Sequence, residues 1–118
     1  MSAYRLSEAA EADIIAVLAW SDETFGDAAR RRYERLLVTA LRDVAAEPDR
    51  PGSIALPELG PDIRSWHLRN SRERARTDEG IVRRPRHFLL YRPLRPGLIG
   101  VGRVLHDAMD ISRHPTRL

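Results

Sequence analysis

The chain has 118 residues, a formal net charge of +3, 42% hydrophobic residues and 31% charged ones. This describes one globular domain, residues 1–118, with a modest core and a well-solvated surface, and excludes a disordered or fibrous chain. The lack of cysteine excludes disulfides and thiolate metal sites; no apolar run reaches the roughly 18–20 residues of a membrane span, and MSAYRLSEAAEAD has no secretory pattern, so the expected setting is the cytoplasm, away from membranes.

Tyr4–Leu6 reads as a short opening strand. Ser7 can cap a helix over about residues 8–20, with Glu8 and Glu11 at its positive end and Ala10, Ile14, Val17 and Leu18 at helical spacing. Ser21–Gly26 forms the expected break. A second helix starts with Asp27 as its cap. Tyr33, Leu36, Leu37, Ala40, Leu41 and Val44 form its buried stripe, and Glu47–Pro48 ends it because the residue before proline leaves helical geometry. Two helices with so short a break are expected to pack antiparallel. Pro48–Pro61, rich in proline and glycine, reads as a connecting loop.

Three strands follow: Ile63–Leu68, His87–Arg92 and Leu98–His106. In the third, Ile99, Val101, Arg103 and Leu105 are expected on one face, and Gly100 and Gly102 mark a bulge or close packing. RPLRPG supplies a tight turn between the last two strands. Residues 69–86 join the first two, with Asp78–Glu79–Gly80 as the turn. The expected fold class is α+β: an N-terminal strand, then an antiparallel helix hairpin packed on one face of a mainly antiparallel sheet of about four strands. The other sheet face is left free to bind a partner.

All twenty basic residues are arginine. Seven of them, Arg69, Arg72, Arg74, Arg76, Arg83, Arg84 and Arg86, fall in one stretch against three carboxylates, while the rest of the chain has thirteen against fourteen. The stretch should meet an anionic partner, nucleic acid or an acidic protein. Arginine stays protonated, so acid–base work would fall to His67, His87, His106, His114, a carboxylate or a tyrosine. The histidines lack metal-ligand spacing and there is no glycine-rich phosphate loop, so neither metal nor cofactor is expected. His106 is expected to bond Asp107 or Asp110 and fix a turn. Arg103 is expected to reach a carboxylate at the sheet edge or to lie on the open face.

Five segments in order carry a family resemblance: YRLSEAAEADI, Trp20 to Tyr33 with its Phe25–Gly26 break, LPELGPDIRSW, HFLLYR, and the close GVGRVLHDAMDISRH. The chain resembles the RelE/ParE superfamily of toxins from bacterial type II toxin–antitoxin pairs, nearest to the ParE-like branch. The long connection Arg69–Arg86 departs from the short turn of many relatives, so the resemblance gives it no role. The resemblance implies a growth-inhibiting toxin silenced by a cognate acidic antitoxin that wraps around it and links it to operator DNA. It implies DNA gyrase as the target, or, in RelE-like members, ribosome-bound mRNA that is cleaved. For metal-free cleavage Arg64, Arg92 and Arg103 would clamp the phosphate, and His87, His106 and His114 would serve as acid and base. RelE-like members commonly use lysine, arginine and a C-terminal tyrosine. This tail has neither lysine nor tyrosine, which favours binding over catalysis, with Arg69–Arg86, Arg103 and His106 as the contact residues. An inactive member kept for antitoxin binding or autoregulation is the third reading.

Overall fold

The computed structural model describes residues 2–108. Its elements in order are β1 (Ala3–Leu6), α1 (Glu8–Phe25), α2 (Asp27–Ala46), β2 (Ile54–Ala55), a 3₁₀ turn (Pro57–Leu59), β3 (Arg64–His67), a second 3₁₀ turn (Leu68–Ser71), β4 (His87–Arg95) and β5 (Leu98–His106). The sheet order is β1-β5-β4-β3-β2. β1 runs parallel to β5 and every other pair is antiparallel. The expected α+β layout of a helix hairpin on a sheet is present, with five strands in place of about four. The added strand, β2, is two residues long within the proline–glycine loop.

α1 runs five residues past its expected end. Ser21–Phe25 contains no proline or glycine to stop it, Ser21 is buried, and Trp20 and Phe25 meet edge to face at 5.6 Å. The break is Gly26 alone, at φ 94° and ψ 174°, which both ends α1 and precedes the first residue of α2. Asp27 is therefore inside α2, where its carboxylate holds Arg30 and Arg31. Gly26 lies in a backbone region open almost only to glycine, with nothing within 4 Å of where a Cβ would stand. Gly26→Ala should thus cost backbone strain alone, about 1–3 kcal/mol, read as a lower urea midpoint with unchanged slope.

Trp66, Leu68, Leu89, Tyr91, Ile99, Val101 and Val104 pack beneath the apolar stripes of the two helices. β5 does not alternate simply. Tyr91 pairs with Val101 and Leu90 with Arg103, leaving Gly102 as the extra residue of a bulge. Past it, Val104 joins the helix-side core, while Leu105 joins Phe88 and Leu90 in a second cluster. The expectation that Val101 and Leu105 share a face therefore fails, because one inserted residue inverts the pleat. Gly100 serves close packing: a Cβ there would stand 3.1 Å from Leu94. The second sheet face is not free either. Leu56 and Leu59, flanking and ending the first 3₁₀ turn, cover Phe88, Leu90 and Leu105, all buried.

β4 continues past Arg92 because Pro93 lies beyond Tyr91, the last residue paired to β3, so no ladder bond needs its missing N–H. Residues 69–86 are anchored on α2. Trp66 Nε1 donates to Ser71 Oγ (2.8 Å), which donates to Asp43 (2.6 Å), and Arg74 bonds the same carboxylate. Ala75 and Val82 pack against the core, and Gly80 at φ 111° closes the turn with Thr77.

Candidate functional site

The ladder places three imidazoles at one end of the sheet. His87 lies opposite His106 across β4 and β5, and His67 ends β3 beside Phe88. The rings of His87 and His106 are 5.3 Å apart, edge to face. Below them Tyr33, on the stripe of α2, has its hydroxyl 2.6 Å from His87 Nδ1 and accepts the backbone N–H of Arg86 at 3.1 Å. Burial drives the Tyr33 hydroxyl up to about 12. Burial, with help from the neighbouring His106, drives His87 down to about 4. Both groups are neutral over the ordinary pH range, so the Tyr33 hydroxyl donates and His87 Nδ1 accepts.

Asp107 gathers the outer side of this corner. Its carboxylate accepts from His67 Nε2 at 3.0 Å and pairs with Arg86 at 3.0 Å. The partial burial of Asp107 pushes its carboxyl up, but the His67 hydrogen bond and the Arg86 charge outweigh this and hold it below its ordinary range. Burial lowers His67, and the Asp107 bond only partly offsets it. His67 Nδ1 accepts the N–H of Arg69 and His106 Nδ1 accepts that of Ala108, so neither Nδ1 carries a proton. The expected His106–Asp107 hydrogen bond is replaced: that approach is 3.6 Å, and the imidazole that bonds Asp107 is His67. Asp110 and His114, the other expected members, lie outside the described residues.

The expected clamps do not join the histidines. Arg64 is bound to Ser53, at the other end of β3 from His67. The two are three steps apart along the strand, about 10 Å at the usual rise. Arg92 sits opposite Gly100, toward that same far end. Arg103 is bidentate to Asp13 of α1 at 2.7 and 3.0 Å, the expected carboxylate at the sheet edge.

Of the arginine stretch, Arg74 is tied to Asp43, Arg76 to Glu73, Arg86 to Asp107, and Arg72 to the carbonyl of Arg83. Arg69, Arg83 and Arg84 are exposed, with no side-chain partner among the described residues. Arg83 and Arg84 line one groove together with Trp20 and Phe25, which are 44% and 65% exposed. The sequence left Tyr33 in the core stripe and gave Phe25 only to a break. A tyrosine inside an apolar stripe must find a hydroxyl partner, which was the available signal for Tyr33. Phe25 carries no such signal, because its placement depends on α1 continuing through it. Among the described residues no cluster of three or more histidine, aspartate or glutamate side chains could hold a metal ion. Among the described residues no helix is long and apolar enough to cross a membrane.

Strand, helix hairpin and mixed sheet define a small α+β domain with a histidine cluster at one end of its sheet. A family model described as the ParE toxin of the type II toxin–antitoxin system parDE matches residues 4–111, and the chain belongs to that family. A search of curated proteins gave no match. Membership makes the chain a toxin of a type II pair and implies an antitoxin partner.

Proposed function

We propose that this toxin inhibits growth by binding DNA gyrase, with no chemistry of its own, in the cytoplasm, and that a cognate acidic antitoxin silences it and brings it to operator DNA. The observation that carries binding over catalysis is the dispersal of the cations a nuclease would need. Arg64 and Arg103 are spent on Ser53 and Asp13, while the innermost imidazole is buried with its Nδ1 occupied by Tyr33. Phosphoryl transfer without a metal needs cations at the reacting phosphate, and these arginines do not converge there. Gyrase is the target that the resemblance to the ParE-like branch implies. Purified toxin is expected to slow gyrase supercoiling of relaxed plasmid in a dose-dependent way, relieved by the antitoxin. Normal supercoiling at saturating toxin would overturn the gyrase reading.

A ribonuclease reading has one observation in its favour: His67, His87, His106, Asp107 and Arg86 share one corner. Cleavage of ribosome-bound mRNA, lost in His106→Ala, would move the function there. Unimpaired growth on induction without antitoxin would favour an inactive member.

A further inference from the structure

The exposed arginines and exposed aromatics border the same cavity. A groove of about 840 Å³ lies between the α1–α2 corner and the chain from Arg76 to Arg86. Trp20, Phe25, Ile81, Val82, Arg83 and Arg84 all line it. Its volume falls in the range of pockets that bury a ligand or a few side chains. Trp20 and Phe25 are the largest side chains left exposed on α1, and they lie against one another. Paired exposed aromatics beside a cavity mark a contact surface more than a solvated face. Among the described residues Glu79 is the one carboxylate lining the groove, and Arg83 and Arg84 lack partners. Among the described residues the lining therefore sets one carboxylate against five arginines and leaves two aromatic rings exposed. A polyphosphate backbone would answer only the arginines.

We infer that this groove receives an acidic peptide segment bearing a bulky apolar side chain, presented by the antitoxin. The apolar side chain seats between Phe25 and Val82, and the flanking carboxylates meet Arg83 and Arg84. The inference rests on the antitoxin partnership and gives a role to residues 69–86, for which the family resemblance supplies none.

The test titrates the full chain against a fluorescein-labelled synthetic peptide of glutamate, aspartate, leucine and phenylalanine, followed by anisotropy. Two control probes are the same peptide with lysine for every carboxylate, and oligothymidylate. The acidic peptide is expected to bind best and to weaken as salt rises. Arg83→Ala/Arg84→Ala should weaken it about tenfold and flatten the salt dependence, whereas Phe25→Ala should weaken it with the salt dependence kept. All three positions are exposed, so these variants are expected to fold. Equal binding of the lysine peptide, tighter binding of oligothymidylate, or wild-type affinity in both variants would each overturn the inference. Co-expression with the product of the adjoining reading frame separates the two levels. No complex with the wild-type chain would remove the antitoxin partnership while the titration still decides the groove. An equally stable complex with wild type and both variants would remove the groove alone.

Discussion

Acidification toward pH 4 is expected to remove about 3 kcal/mol of folding stability through one residue, His87. An unfolded histidine titrates near 6.5, whereas burial and the neighbouring His106 bring His87 to about 4. Between those values the unfolded chain binds the proton and the folded chain does not, so stability rises with pH. The contribution is whole above about 6.5, is lost progressively as pH falls, and is gone near the folded value, at about 1.4 kcal/mol per unit. His87 is 6% exposed, so solvent screens little of this. His67, also lowered, adds to the loss in the same direction. Asp107, held below its ordinary range, gives a further loss only at more acidic pH. The alkaline limb has the opposite cause. Tyr33 is raised to about 12, so stability is full below about 10 and falls as pH rises through that upper interval. Urea midpoints measured against pH for wild type and His87→Gln give the check. Glutamine keeps an acceptor for the Tyr33 hydroxyl but cannot titrate, so its curve should be flatter on the acid side. Parallel curves through the window from about 6.5 to 4 would sink the idea.

The elements were legible where period and punctuation agreed. The stripe from Tyr33 to Val44 placed α2, and the apolar run Leu98–His106 gave β5 its observed limits. Legibility failed where a tertiary partner overrode a local sign. Ser21–Phe25 looks like a break because it is polar, yet its backbone continues α1 while Ser21 is buried and Phe25 meets Trp20. The faces of β5 could not be read because the bulge at Gly102 exists only in pairing with β4. The open sheet face was expected because Leu56 and Leu59 sit in a stretch that reads as linker, and their cover of Phe88, Leu90 and Leu105 is a long-range contact. At the site, the histidines were visible as residue types and their meeting was not. His67 and His87 are twenty residues apart in sequence, and the ladders between β3, β4 and β5 bring them to one end of the sheet. The arginine stretch was visible as charge, but which of its members are free depends on Asp43, Glu73 and Asp107.

Arg103, part of the RVLH close that marks the family resemblance, leads to the second large effect. Asp13→Ala is expected to destabilise the fold by about 2–4 kcal/mol, because one carboxylate closes the edge of β5 past β1. β1 stops at Leu6, paired with Val101. From there Ser7 takes over, its N–H bonding Val101 O and its hydroxyl bonding Gly102 O. Asp13, one and a half turns along α1, accepts the N–H of Val104 at 2.9 Å and both guanidinium bonds of Arg103. Asp13 and Arg103 have side chains only 17% and 20% exposed, so removing the carboxylate leaves a cation and a backbone donor poorly solvated. The bulge at Gly102 is what turns Val104 N–H toward the helix, so the cap and the bulge depend on each other. Arg103→Ala should cost less than Asp13→Ala, since the Val104 bond survives it. In a double-mutant cycle the pair should show coupling above about 1 kcal/mol, because each single change already removes the shared interaction. If Arg103 instead serves target binding, Arg103→Ala will lower gyrase inhibition at an unchanged urea midpoint, and the coupling with Asp13 will vanish. A lowered midpoint with inhibition retained per folded molecule places the arginine in the sheet edge.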